Sequence, residues 1–397
     1  MERSSEHYID PVEIERELAA IWATIDGQQK DGGTVTRASM SNVMIFCDGE
    51  EQALDAADRI PQLVQHHPAR VIVLALIEDQ SNEDVQAWVT AHCRRTGDGT
   101  QLCAEHIELR FRAGSAERAA SVVRSLLISD LPSALWWLSP RPPALTGTVF
   151  EAFAPMAEQI IYDSIGWSDP PSAVRAMTRW SRNNRTVIFN LAWRRLKPWR
   201  RILAQSLAPT VVPGALQRIS TIELEHGPRA LPLAWLLVGW LASRLDWRPK
   251  QGSAKASNQL TWQFASSGGP IQISVHGSEE GVPHINRMRV AWHAGPGQPG
   301  GRSAGQTPDQ PPDQTPDQSP AQPAGHADYR HEGHHIRHFP GDPSLRPSSI
   351  PAWEQRLEQM VAAQLAHRAG DALFTAAIGI SDAMAKVVKA DGGPIAP

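Results

Sequence analysis

Val43-Met44-Ile45-Phe46-Cys47 and Arg70-Val71-Ile72-Val73-Leu74-Ala75-Leu76-Ile77 flank a polar-apolar stretch at 51–65. Two short, almost uninterrupted apolar runs on either side of a helix-length connection read as parallel strands joined by a crossover helix, a βαβ unit. The fold class expected from this is α/β, with N-terminal and middle βα layers. On the N-terminal side, Asp10, Pro11 and Glu13 take the places of N-cap, first helical residue and capping-box acid. Ile14, Leu18, Ile21, Trp22 and Ile25 then recur at helical spacing. On the C-terminal side, 87–92 and 102–111 read as strands around the turn Thr96-Gly97-Asp98-Gly99, and 118–127 as a helix.

After Asp130 the pattern resumes. Residues 134–138, 159–162 and 186–189 read as short strands and 171–180 as a helix. Pro198 is placed to start another helix, on which Trp199, Ile202, Leu203 and Leu207 share one face while Arg200, Arg201 and Gln205 point elsewhere. Residues 231–245 form an apolar helix with Trp235 and Trp240. Residues 259–264, 271–276 and 286–292 alternate like antiparallel strands, so the C-terminal part is expected to be a smaller α+β domain.

The stretch 295–325, rich in Pro, Gly and Gln, carries the near-repeat Thr307-Pro308-Asp309-Gln310 and Thr315-Pro316-Asp317-Gln318. It lacks the apolar residues that ordering requires and reads as a flexible insertion. Beyond it, 329–339 reads as a polar, alternating final strand, and Trp353, Leu357, Met360, Val361, Leu365 and Leu373 as a closing helix. The expected organisation is an N-terminal α/β domain at 1–129, a middle α/β segment at 130–230, and a C-terminal domain at 231–294 plus 326–374.

With 38 basic and 42 acidic residues the 397-residue chain is only mildly acidic. The start, 1–8, has no apolar run of the signal-peptide kind, and 231–241 is too short to cross a bilayer, so the expected location is the cytoplasm, with no membrane partner. Cys47, Cys93 and Cys103 form no Cys-x-x-Cys pair and read as buried free thiols. Two other readings stay open: Cys93 and Cys103 meeting across a hairpin as a redox pair, or metal ligation with His92 or His106. The histidines at 331, 334, 335 and 338 lack the Cys or carboxylate set that would complete a tetrahedral site, so no metal and no cofactor is expected.

One block departs from the overall charge. No Asp or Glu occurs between Asp169 and Glu223, while Arg175, Arg179, Arg182, Arg185, Arg194, Arg195, Lys197, Arg200, Arg201 and Arg218 do. Within it, Asn190-Leu191-Ala192-Trp193-Arg194-Arg195-Leu196-Lys197-Pro198-Trp199-Arg200 sets aromatic anchors among cations, and Trp136-Trp137 precedes it. Tryptophan and arginine are frequent interface hot spots, so Trp136, Trp137, Trp193, Arg194, Arg195, Lys197, Trp199 and Arg200 form the candidate partner-binding set. The competing reading places the same tryptophans in the core and the arginines on a solvated face.

Five ordered blocks carry a family resemblance: His67-Pro68-Ala69-Arg70-Val71-Ile72-Val73; Cys103-Ala104-Glu105-His106-Ile107; Asp130-Leu131-Pro132-Ser133-Ala134-Leu135-Trp136-Trp137; Gln159-Ile160-Ile161-Tyr162-Asp163-Ser164; and Leu191-Ala192-Trp193 with Lys197-Pro198-Trp199-Arg200. On these the chain resembles the glucose-6-phosphate dehydrogenase assembly proteins, the OpcA family, across roughly residues 34–247. The resemblance implies a non-catalytic partner that binds glucose-6-phosphate dehydrogenase and promotes its active oligomer in the oxidative pentose phosphate pathway. Trp193, Lys197, Trp199 and Arg200 are the residues carried over, with Trp136 and Trp137 in support. Where the family commonly has an acidic residue this chain has Asn190, and where it has a threonine this chain has Arg194 or Arg195.

Two other classes compete. A phosphosugar-binding enzyme would use the 175–201 block with Asp163 or Glu158 as acid or base, but no Gly-x-Gly-x-x-Gly opening and no Walker loop is present. A nucleic-acid-binding protein would use the same arginines on phosphates, yet no helix-turn-helix, zinc-finger or RNA-binding pattern accompanies them. No nucleic-acid partner and no catalytic residue is therefore expected.

Overall fold

The computed structural model describes residues 10–27, 35–77, 85–95, 101–256, 259–294 and 325–390. Two compact units result, one of residues 1–194 with 355–371, the other of 195–354 with 372–397. The insertion read at 295–325 lies outside the described residues except for Gly325, and the turn Thr96–Gly99 lies outside them entirely.

The first unit begins with α1 (Pro11–Gly27). Asp10 caps it, its Oδ1 accepting from Val12 N at 2.9 Å. Then come β1 (Val35–Arg37), β2 (Asn42–Asp48), α2 (Glu50–His66), β3 (Arg70–Leu76), β4 (Val85–Arg95), β5 (Gln101–Phe111) and α3 (Ala116–Leu126). They continue into β6 (Ser133–Trp137), α4 (Thr148–Phe153), β7 (Gln159–Tyr162), α5 (Pro170–Asn183) and β8 (Val187–Asn190). The strands form one eight-stranded sheet in the order β1-β5-β3-β2-β6-β7-β8, with β4 antiparallel on β5. β2 and β3 pair in parallel from Asn42↔Arg70 to Asp48↔Leu76, and helices cover both faces, which is why their sequences are continuously apolar.

Two buried polar clusters fix this sheet. Asn42, fully buried at the start of β2, donates to the carbonyls of Ile128 (3.0 Å) and Leu131 (3.2 Å) and accepts from Ile128 N (2.9 Å). The Asp130-Leu131-Pro132-Ser133 run is thereby a turn held at the entry of β6. Arg70, 4% exposed, reaches Glu105 through Nε at 2.6 Å and Glu15 through Nη1 at 2.6 Å, and Trp22 Nε1 donates to the same Glu105 at 2.9 Å. An ion pair joined by these further hydrogen bonds locks α1 to β3 and β5.

On β4 and β5, Cys93 and Cys103 stand opposite each other and form a disulfide. This corrects the free-thiol reading for that pair; Cys47, buried in β2, remains free. Diagonally across the same two strands, His92 Nε2 lies 3.2 Å from His106 Nδ1. Burial, with the neighbouring His92, pushes His106 down to about 3, far below its usual 6.5. The folded state thus resists a proton that the unfolded chain accepts below about 6.5, so stability is full above that pH and falls as pH drops toward 3. The unfolding free energy from urea titrations is expected to decline from pH 7 to pH 5, by about 1.4 kcal/mol per pH unit for this residue once well below 6.5. A His106→Phe chain that declines as steeply as the wild type would rule out His106 as the source.

The connecting helices are α6 (Leu191–Arg195), in which the two units meet along the chain, and α7 (Lys197–Ser206). The second unit continues with β9 (Ile219–His226), α8 (Leu231–Arg244), β10 (Arg248–Ala256), β11 (Gln259–Ser266), β12 (Gly269–Gly277) and β13 (Ile285–Trp292). Next are β14 (Gly325–Glu332), β15 (His335–Pro340) and β16 (Ser348–Pro351); α9 (Leu357–Leu365) returns to the first unit, and α10 (Ala372–Val387) with β17 (Val388–Ala390) ends the second. Its strands form a nine-stranded sheet in the order β16-β15-β14-β13-β9-β12-β11-β10-β17. The pairings β9–β12 and β10–β17 are parallel and the others antiparallel. α8 is buried almost all round, with Trp235 edge-on to Trp262 at 4.9 Å. A Cβ on Gly239 would sit 2.7 Å from Ala377 O, so glycine is what lets α8 and α10 approach this closely.

Two expectations for the C-terminal part change. The histidine-rich 329–339 segment is a hairpin rather than one strand, because Gly333 adopts φ +57° and turns β14 into β15. Trp353 precedes α9, 64% exposed and stacked on His334 at 4.7 Å, and the single closing helix is two helices, α9 and α10. Among the described residues no helix is long and apolar enough to cross a membrane, and no group of three or more His, Cys, Asp or Glu is placed to hold a metal ion.

Candidate functional site

The candidate tryptophans are buried. On β6, successive side chains face opposite sides of the sheet, and both sides are covered, so Trp136 and Trp137 are each 1% exposed. Trp137 stacks on Phe46 at 3.8 Å, meets Phe150 edge-on at 5.4 Å, and donates its Nε1 to Arg141 O at 2.8 Å. At the end of β8, Asn190 accepts from Ser164 N (3.2 Å) and Ala192 N (3.0 Å) and donates to Ser164 Oγ (2.8 Å). That clamp ties the Asp163-Ser164 corner to the start of α6. A carboxylate at this position could accept all three of these bonds, with Ser164 Oγ turned to donate.

Trp193, 1% exposed, donates Nε1 to Asp371 Oδ2 at 2.7 Å, and Arg194, half-buried, donates Nε to Gln355 Oε1 at 3.1 Å. Burial holds the Arg194 pKa below its usual value. In the second unit, Trp199 (4% exposed) lies with Ile202, Leu203 and Leu207 on the buried face of α7, and Ser206 Oγ meets Tyr329 OH at 2.7 Å. Arg195 and Arg200 are half-buried. Lys197 and, next to the motif, Arg201 are exposed. Of the eight residues picked from sequence, Lys197 alone is exposed.

Exposed positive charge sits instead on α5. Ala173, Val174, Met177 and Thr178 bury one face, and Arg175, Arg179 and Arg182 line the other at helical spacing, followed by the exposed Arg185. The acid-free interval had marked these residues as part of a positive field; the aromatic emphasis drew the site away from them. Separately, Lys197 and Arg201 are the exposed cations of α7 in the second unit.

The end of the sheet where α/β folds hold nucleotides is differently equipped. The run β5-β3-β2-β6-β7-β8 is a doubly wound order with its switch point between β2 and β6, where ligands ordinarily bind at the carboxyl ends. Here β2 leads into Asp48-Gly49-Glu50-Glu51, so two carboxylates occupy the first turn of α2, where a pyrophosphate would need bare N–H groups. Arg141 Nη2 donates to Asp48 Oδ1 at 2.6 Å, and Ser139 Oγ to Asp48 Oδ2 at 3.3 Å. Asp48 is thus paired with Arg141, and Glu50 with Arg110 at 2.7 Å. Asp163 and Glu158, the acids an enzyme reading would employ, lie beyond opposite ends of β7 and share no site.

The model of the glucose-6-phosphate dehydrogenase subunit N-terminal domain matches residues 61–179, and that of the subunit's C-terminal domain matches residues 186–378. A putative OxPP cycle protein OpcA from Nostoc punctiforme is 30% identical over 190 residues, covering 47% of this chain and 40% of that protein. The Synechocystis protein of the same description is 30% identical over 185 residues, 46% of this chain and 38% of its own. These alignments span less than half the length of either relative. Among solved structures, a 3-ketoreductase from Actinomadura kijaniata superposes with a TM-score of 0.48 at 9% identity, covering 88% of this chain and 98% of that one.

Proposed function

Because the chain belongs to the OpcA family of glucose-6-phosphate dehydrogenase subunits, we propose that it binds glucose-6-phosphate dehydrogenase in the cytoplasm and favours the active oligomer of that enzyme without chemistry of its own. The observation that carries this reading is the ordered match of both subunit domains across residues 61–179 and 186–378. The acidic turn Asp48-Gly49-Glu50-Glu51 at the switch-point end of the first sheet supports a non-catalytic role.

An activator of this kind works by binding the competent oligomer more tightly than the other states of its partner. In the first unit, exposed Arg175 and Arg179 on α5 supply charge for an acidic face of the dehydrogenase. In the first unit Trp136, Trp137 and Trp193 are core residues, and in the second Trp199 anchors the buried face of α7.

The test pairs the purified chain with the dehydrogenase of the same cell, reading enzyme rate and complex mass by light scattering together. A larger complex with a higher rate is the expected result; unchanged mass and rate would sink the proposal. Arg175→Glu with Arg179→Glu is expected to weaken association about tenfold or more, chiefly through the on-rate, with the difference shrinking as salt rises. Equal association at low salt would place the interface elsewhere.

A further inference from the structure

We propose that a cavity at the amino ends of β6, β7 and β8 binds a small hydroxyl-bearing dianion of the phosphomonoester class. It lies within the first unit, at the end of the sheet opposite the switch point, and is a half-open hollow of about 430 Å³, enough for a small metabolite. Its lining brings Arg185, from the turn before β8, together with Arg368, from the segment after α9. Two guanidiniums match the charge and the oxygen geometry of a phosphomonoester.

The second requirement comes from Gln159, at the start of β7 and only 2% exposed. Its Nε2 faces the carbonyl of His367 at 3.5 Å, an oxygen that also accepts from Gln364 Nε2 at 2.9 Å. Only an N–H can face that oxygen, which fixes the orientation of the Gln159 amide. Its Oε1 is therefore committed as an acceptor, and among the described residues no donor reaches it. Buried carbonyl oxygens are rarely left this way, and a ligand hydroxyl lining the same cavity is a donor of the right kind.

The remaining polar lining agrees. Ser41 Oγ is tied to His67 Nε2 at 2.9 Å, and burial together with the positive charge of Arg368 lowers the pKa of His67. Glu158 also lines the cavity but is exposed, so it opposes an anion from the solvent side and makes both arginines necessary. A bare anion would satisfy the arginines and leave Gln159 unserved; an uncharged polyol would do the reverse.

Isothermal titration of the full chain at fixed ionic strength separates these possibilities, with glycerol 3-phosphate, inorganic phosphate, glycerol and malate as probes. The expected result is one site that takes glycerol 3-phosphate about tenfold more tightly than inorganic phosphate, as one or two added hydrogen bonds allow, and does not take glycerol. Arg368→Gln is expected to weaken glycerol 3-phosphate by tenfold or more. Gln159→Met should bring glycerol 3-phosphate down to the level of inorganic phosphate. Gln159 is buried, so if its variant fails to fold, the exposed Arg368 decides the matter. Malate binding more tightly than glycerol 3-phosphate would overturn the phosphomonoester class. No saturable binding of any dianion below about 1 mM, or binding undiminished by Arg368→Gln, would overturn the site. The dehydrogenase takes no part in the titration, so its outcome stands apart from the partner assay.

Discussion

Trp193→Ala is expected to destabilise the first unit by about 3–5 kcal/mol, the usual cost of emptying a large buried aromatic site. The indole is 1% exposed, and it also supplies the donor that Asp371 accepts from at 2.7 Å. Trp193→Phe should cost less, because most of the volume stays and only the hydrogen bond is lost. Urea unfolding of both variants measures this, and dehydrogenase activation assayed where each is still folded separates packing from recognition. If Trp193→Ala keeps wild-type stability yet loses activation, the tryptophan is a contact residue and its structural assignment fails. If it unfolds easily but activates normally when folded, the motif acts through the scaffold it builds.

The second large effect is at Arg70. Replacing it with Met removes the cation that Glu105, fully buried, meets at 2.6 Å, and is expected to cost about 3–5 kcal/mol, because an ionised carboxylate is left in the core. The double change Arg70→Met with Glu105→Leu is expected to recover most of that loss, since removing both charges also removes their desolvation cost. Additive losses in a double-mutant cycle would show that the two side chains contribute separately, through packing. The His-Pro-Ala-Arg and Cys-Ala-Glu-His blocks, which helped to mark the family, thus include the two halves of one buried ion pair.

How much of this was legible depended on how far apart the deciding residues lie in the chain. β2, α2 and β3 were readable because a parallel strand covered on both faces becomes one apolar run, and the period of α2 contrasts with it. α7 was readable in the same way, including the burial of Trp199, Ile202 and Leu203. β10 was not: Arg-Pro-Lys-Gln-Gly-Ser-Ala-Lys-Ala has the composition of a loop. Its Gly252 is needed where a Cβ would come within 2.9 Å of Trp262. β9 also went unread, although Ile222 and Leu224 alternate with Glu223 and Glu225, because one short alternating run carries little weight without its partners β12 and β13. The site was the least legible part. Trp193 suits a core and an interface equally, and the residue that decides for the core, Asp371, is 178 positions away. The α5 arginines were visible as charge, but their common exposed face is set by which residues the fold buries opposite them.

The return of residues 355–371 to the first unit has a consequence for how the chain is made. α9 packs on α2, with Arg59 paired to Glu358 at 3.4 Å and Arg356 donating to Gln62 at 3.1 Å. The same returning segment carries Asp371 and Arg368, so the first unit lacks α9 until residues 355–371 have followed residue 194 out of the ribosome. At ordinary elongation rates that is a delay of roughly 10–30 s after residue 194 is added. During that interval α2 already lies on β2 and β3, but the part of it that α9 packs against is uncovered. A nascent chain arrested short of residue 355 should therefore be a better chaperone client than the finished protein, and 1–194 expressed alone should be rescued when 355–371 is supplied.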